Sequence, residues 1–144
     1  LARTHYFHGA DPVLRRLHGE GRIRDVSDHP SVEALCLAAD VLMTDYSSIM
    51  FDYAVLDRPI VIHASDWDVY RAIRGTYFDL LAEGPGVVTR TEAEVIEAFR
   101  SGRVWDEEAR RARTAFRTRF CALEDGHAAE RVVRRVFLGA PPIQ

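Results

Sequence analysis

The sequence predicts an α/β domain, a parallel sheet flanked by helices, with a helical last third. Two observations point there. Val41-Leu42-Met43 and Ile60-Val61-Ile62 are continuous apolar runs rather than alternating ones, the pattern of strands buried on both faces beneath helices. Across the first two thirds, short β-type runs also alternate with helix-type runs, the order expected of parallel pairing.

In chain order, strands are expected at residues 2–7, 23–27, 41–44, 60–63 and 87–89, and helices at 31–39 and 47–56. Thr91 and Glu94 form a capping-box pattern ahead of Val95, Ile96 and Phe99. Asp106-Glu107-Glu108 places negative charge where a helix begins, and Ala109, Ala112, Phe116 and Phe120 follow on one face. Asp125 is expected to cap a final helix whose Ala129, Val132, Val133, Val136 and Phe137 form another stripe. Its Arg131, Arg134 and Arg135 read as the solvated face, and Gly139-Ala140-Pro141-Pro142 ends it.

With 144 residues the chain is the size of one domain and can bury a core. A net charge of −3 argues against a general nucleic-acid binder, although all 19 basic residues are Arg, which suits bidentate phosphate contacts. Cys36 and Cys121 are too few for a disulfide framework. Cys36 lies in the apolar run at 34–39 and is expected as a core thiol. There is no signal peptide, and no apolar stretch approaches the roughly 18 residues of a membrane span. The chain starts without Met on a strand-like run, so it reads as part of a longer protein.

The chemistry concentrates at residues 39–52, where a strand ends at Thr44 and a helix starts near Ser47 after a tight polar turn. Ligands of open α/β sheets collect at the carboxyl ends of strands. Unpaired amides at a helix start, with the hydroxyls of Ser47 and Ser48, suit a phosphate or pyrophosphate. Asp52, one helical turn on, could accept bonds from sugar or glycerol hydroxyls. The other reading is that Asp45 or Ser47 simply caps the helix.

Thr44-Asp45-Tyr46-Ser47-Ser48-Ile49-Met50-Phe51-Asp52-Tyr53 is followed by Arg58-Pro59-Ile60, then Asp66, Asp68 and Tyr70. Arg74-Gly75-Thr76-Tyr77-Phe78-Asp79 and Gly84-Pro85-Gly86 complete the series. This order resembles the CDP-glycerol glycerophosphotransferase family, whose members prime or polymerise teichoic acids. The resemblance runs from about Arg3 to Phe99 and returns weakly at 124–132, where His127 stands in place of the family's usual Lys. It implies a GT-B architecture of two Rossmann-like domains. This chain, residues 1–144, would be the partial C-terminal, nucleotide-binding one, and the N-terminal acceptor domain would lie outside it.

The same resemblance implies the site. Arg3-Thr4-His5 matches an Arg-x-His that faces the donor, so Arg3, Thr4, His5, Asp45, Ser47, Ser48, Asp52 and Arg74 are expected to bind CDP-glycerol, with His5 and Arg74 catalytic. His5 could donate to the pyrophosphate. Arg74, expected in a loop, could neutralise the leaving group or pair with an acid such as Asp79. His8-Gly9 lacks the residues of the family's essential His-Gly motif and receives no role. Asp28-His29-Pro30 could face the cytosine, or Asp28 or Ser31 could cap a helix. Asp66-Trp67-Asp68 looks superficially like a DxD metal motif, but the family pattern makes it part of a structured loop. His63 reads as a core residue. No structural zinc is indicated, and no cofactor is expected.

The implied reaction has an acceptor hydroxyl attack the β-phosphorus of CDP-glycerol, with CMP leaving. The general base is expected outside this chain, so the fragment alone should be inactive. Implied partners are CDP-glycerol, a polyol-phosphate or lipid-linked acceptor and the N-terminal domain of the same protein. The implied place is the cytoplasmic face of a bacterial membrane, with peripheral contact through the missing portion. Rival readings are a GT-B transferase using another CDP-alcohol or nucleotide-sugar, and a non-catalytic α/β interaction module. A receiver-type domain is excluded by the absence of any Lys.

Overall fold

Two N-terminal helices begin where the sequence offers caps. Asp11 accepts from the Val13 and Leu14 amides and Pro12 occupies the first turn of α1 (Pro12–Gly19). Ser31 accepts from the Ala34 amide at 3.1 Å to start α2 (Val32–Ala38), which settles the Asp28/Ser31 alternative for capping in favour of Ser31. The computed structural model describes residues 1–4 and 11–141. They fall into two compact units, Leu1–Ala39 and Asp40–Gln144.

In the first unit, the expected strand at 23–27 reduces to a single parallel bridge between Ala2 and Asp25. Residues 5–7 of its expected partner lie outside the described residues. Side chains take over where a ladder would continue: Asp25 accepts from the Ser27 amide and hydroxyl, and the Thr4 amide donates to Ser27 Oγ. No described residue of this unit is fully buried. Cys36 is therefore half-buried, not the core thiol its apolar run suggested.

The second unit holds the sheet. β1 (Leu42–Thr44), β2 (Ile60–His63) and β3 (Val87–Thr89) pair in parallel in that order, with Thr44 opposite Ile62 and His63 opposite Thr89. Ile60, Val61 and Ile62 are essentially inaccessible because they occupy the middle strand. Val41-Leu42-Met43 behaves otherwise. β1 is an edge strand of this sheet and Met43 is 55% exposed, so the expected burial of both faces is not met. Thr89 Oγ1 donates to the Ile62 carbonyl at 3.0 Å and lies 3.4 Å from His63 Nδ1. His63 is thus a half-buried residue satisfied across the sheet.

Helices fill the connections: α3 (Ile49–Ala54), α4 (Trp67–Arg74), α5 (Leu80–Glu83), α6 (Glu92–Arg100), α7 (Glu107–Phe120) and α8 (Ala128–Val132). The capping box holds at α6, where Thr91 Oγ1 accepts from the Glu94 amide, and Asp106 caps α7 through the Ala109 amide. Ala109, Arg113 and Phe116 are the buried stripe of α7. Phe116 and Phe120 meet Phe51 of α3 and Phe78, with ring centroids 4.7 to 6.2 Å apart in tilted and edge-on pairs. This aromatic cluster fixes α3, and with it the turn that precedes α3.

The final helix departs from expectation. Asp125 does not cap it. Its carboxylate accepts from the His127 amide and takes two bonds, of 2.6 and 2.7 Å, from the Arg131 guanidinium, which also donates to the Leu123 carbonyl. Arg131 is therefore a tether and not merely part of a wet face. After α8 the chain widens into a π-helical turn at Val133–Phe137, and Val132, Val133, Val136 and Phe137 are exposed. The i→i+5 turn breaks the 3.6-residue register on which the apolar stripe depended.

Gly86 passes so close to β2 that an added Cβ would overlap the Ile60 carbonyl. Replacing Gly86 with Ala should lower unfolding stability by at least about 2 kcal/mol in denaturant titration, through overpacking against backbone that cannot yield. The Arg131 guanidinium holds the Asp125 carboxyl down to about 2 from its ordinary 3.8. The tether's stabilisation should thus be complete above the unfolded value and be lost as pH falls through about 2. A carboxyl-detected NMR titration should show that low midpoint, and Arg131→Gln should return it toward 3.8.

Candidate functional site

Parallel register brings three strand ends to one edge of the sheet. Asp45 follows Thr44 of β1, Ala64 follows His63 of β2 and Arg90 follows Thr89 of β3. That edge is where ligands of open α/β sheets bind.

After β1 the chain turns through Asp45-Tyr46-Ser47-Ser48. Asp45 Oδ1 accepts from the Ser47 amide at 3.1 Å, and Ser47 Oγ lies 3.4 Å from the Ile49 amide. α3 starts at Ile49, two residues later than expected, and runs for six residues, with Ser48 in the N-cap position but making no side-chain cap bond. Met50 and Phe51 amides bond back to the Ser47 and Ser48 carbonyls, a tight first turn. Asp45, Ser47 and Ser48 are exposed. Among the described residues the Ser48 amide finds no acceptor, and both serines are exposed, with Ser47 Oγ within reach of the Ile49 amide. Asp52 is exposed in the first turn of α3.

Tyr46 links this turn to α4. Its hydroxyl donates to Asp66 Oδ1 at 2.5 Å, and its ring stacks on Tyr70 at 4.0 Å and lies 5.8 Å from Trp67. Burial, then the bond to Asp66, raises the phenol's pKa well above its ordinary value, so the hydroxyl remains a donor. Asp68 in turn accepts from Arg90 at 2.7 Å, and that bond lowers the Asp68 carboxyl. Each carboxylate of Asp66-Trp67-Asp68 thus has a protein partner.

The segment read as a structured loop from Asp66 through Arg74 is helical. Trp67 is buried and Tyr70 packs inward three residues on, which drives the amphipathic helix. Arg74 is its last residue and is exposed, next to Gly75 at φ 69°. Asp66, Trp67 and Tyr70 meet Tyr46, and Arg74 lies one turn beyond Tyr70 on the same side of the helix. Asp79 caps α5 through the Leu81 amide.

In the first unit, Arg3 Nη1 donates to the carbonyls of Val26 and His29, and Thr4 Oγ1 lies 3.1 Å from Ser27 Oγ. His5 and His8-Gly9 lie outside the described residues. His18 Nδ1 accepts from the Asp25 amide and His29 Nδ1 from the Ser31 amide, partners that sequence could not supply.

Sequence reasoning missed Tyr46 and Arg90. Tyr46 sits between two residues already singled out, and an aromatic there was the available signal. Nothing local marks Arg90, whose partner Asp68 lies 22 residues away. A cavity of about 210 Å³ lies elsewhere, beside Gly86, Val87, Arg103 and Ala109 at the opposite, amino-terminal end of β3. Among the described residues no helix is long and apolar enough to cross a membrane.

Comparison with known proteins gives these features a context. A family described as CDP-glycerol:poly(glycerophosphate) glycerophosphotransferase matches residues 1–138. A teichoic acid glycerol-phosphate transferase of Staphylococcus aureus is 38% identical over 138 residues, covering 95% of this chain and 34% of the relative. A teichoic acid poly(glycerol phosphate) polymerase of Bacillus subtilis is 39% identical over 119 residues, covering 82% of this chain and 16% of the relative. The wall teichoic acid polymerase TagF, in a histidine-to-asparagine variant soaked with CDPG, superposes with a TM-score of 0.74 at 29% identity. That match covers 95% of this chain and 34% of the TagF chain. The chain therefore spans about a third or less of the length of these relatives. With all but its last six residues matched, the chain belongs to the CDP-glycerol:poly(glycerophosphate) glycerophosphotransferase family.

Proposed function

We propose that this chain supplies the donor site of a longer enzyme that transfers glycerol phosphate from CDP-glycerol to a hydroxyl of a growing teichoic-acid-type polymer. The observation that carries this reading is the turn at Asp45–Ser48, whose Asp45, Ser47 and Ser48 are exposed at the carboxyl edge of a parallel sheet, in a chain of this family. The likeness to a TagF structure soaked with CDPG supports CDP-glycerol as the donor.

The diphosphate would be held by the Ser47 and Ser48 hydroxyls and the Ser48 amide. α3 is too short for its macrodipole to carry the site, so directed hydrogen bonds at the strand-end crevice are the working interaction. Asp45 is better suited to shaping the turn than to touching phosphate, because its carboxylate already holds the Ser47 amide and would repel an anion. Asp52, exposed on the helix that follows, would accept from glycerol or ribose hydroxyls. Arg74, on the α4 face that carries Tyr70, would offset charge building on the leaving CMP. The family resemblance extends the proposal to Arg3, Thr4 and His5 as donor-binding residues, and to His5 and Arg74 as catalytic ones.

In this reaction an acceptor oxygen forms a bond to the β-phosphorus, the bond to the bridging oxygen breaks, and CMP departs with that oxygen. The chain's share is positioning and charge stabilisation. The base that takes the acceptor's proton is assigned to the rest of the protein, with acceptor binding and any peripheral membrane contact. Residues 1–144 would act as one nucleotide-binding domain of a GT-B enzyme.

Calorimetry on the full-length protein tests the assignment. Ser47→Ala combined with Ser48→Ala should weaken CDP-glycerol binding at least about tenfold, the scale of losing hydrogen bonds to a charged group. Arg74→Ala should reduce kcat more than it raises KM. Unchanged binding in the double serine variant would place the donor elsewhere.

A further inference from the structure

Tyr46 is fastened more firmly than burial of an aromatic ring requires. Stacking on Tyr70, with 24° between the planes, and proximity to Trp67 already satisfy its apolar surface. Its hydroxyl nevertheless makes a 2.5 Å bond to Asp66, a charge-assisted and directional contact. Asp66 stands at the N-cap position of α4 but gives no side-chain bond to that helix, accepting the phenol instead. A local cap is thus forgone for a contact with the β1 turn 20 residues earlier, a pattern that marks functional positions.

Geometry shows what the contact controls. Tyr46 directly precedes Ser47 and Ser48. With its ring held by α4 and its hydroxyl held by Asp66, the backbone path into the two serines has little freedom. Asp68 of the same helical turn holds Arg90 at the end of β3, so the first turn of α4 ties together loops from the outer two strands.

We propose that Tyr46 is a positioning residue for donor binding, and that its bond to Asp66 sets the direction in which the Ser47 and Ser48 hydroxyls meet the diphosphate. This rests on the donor-site assignment above. It adds that a residue making no proposed contact with CDP-glycerol determines how well CDP-glycerol binds, and that Asp66 acts only through Tyr46.

The test uses the full-length protein, with CDP-glycerol as ligand, comparing Tyr46→Phe, Asp66→Ala and the two combined. Each single variant should raise KM for CDP-glycerol and its Kd about tenfold, the loss of one charge-assisted bond, with kcat changed less than about twofold. The combined variant should be no worse than either alone, because both remove the same bond. Asp68→Ala, which releases Arg90 but leaves Tyr46 held, should bind donor normally. A purely structural role would lower Tm without moving KM, and that result overturns the proposal, as does additivity of the two substitutions. If Tyr46→Phe fails to fold, Asp66→Ala at an exposed position removes the same bond, and normal donor affinity there refutes it. The Ser47→Ala, Ser48→Ala variant separates the two ideas. Normal binding in that variant removes the donor site itself, whereas weakened binding there with normal binding in Tyr46→Phe removes only the positioning role.

Discussion

The site depends on the pairing of β2 with a parallel neighbour on each side. Parallel strands in register end together, and only because Thr44 lies opposite Ile62 and His63 opposite Thr89 do the following loops share one edge. The inaccessible Ile60-Val61-Ile62 segment, buried on both faces, supplies the burial that holds β2 in the middle of the sheet. Two further devices reinforce it. Gly86 lets the segment before β3 approach the Ile60 carbonyl, and Thr89 spends its hydroxyl on the Ile62 carbonyl.

A second layer supports the turn from behind. Phe51 of α3 meets Phe78, Phe116 and Phe120, so α3 is held by α7 and by the segment after α4. At the far end of α3, Asp57 adopts a positive φ of 54°, and its carboxylate is gripped by Arg113 and Arg117 of α7. Arg113 is only 7% exposed, and its Nη1 has no acceptor among the described residues, a desolvation cost accepted at this corner. The ion pair offsets that cost by fixing the turn that leads from α3 into β2. Both ends of α3 are thereby constrained, the first by the site and the second by α7.

How much of this was legible followed the range of the interactions involved. Local signals were reliable. The apolar run at 60–62 gave the middle strand, and Thr91 and Asp106 start helices where their spacing says they should. Signals that depend on neighbours were not. Val41-Leu42-Met43 looks as buried as 60–62, yet its place at the edge of the sheet leaves Met43 exposed, and sequence does not encode strand order so directly. α4 was hidden because Asp66, Asp68 and Gly75 resemble loop punctuation, while the burial of Trp67 and the stacking of Tyr70 that make it a helix are tertiary. The stripe of the last helix failed because the turn there is π-helical. Within the site, the residue types of the Asp45–Ser48 turn were evident, but the role of Tyr46 needs a partner on another helix to be seen.

The four-residue recurrence of Asp66, Tyr70 and Arg74 makes α4 a ruler as well as a support. Substitutions on its outer face, at Val69 or Ile73, leave the spacing untouched. One residue added or removed between Asp66 and Arg74 would swing the guanidinium by about 100° around the helix axis while Asp66 stayed fastened to Tyr46. Over this stretch the helix tolerates a change of exposed side chain far better than a change of length.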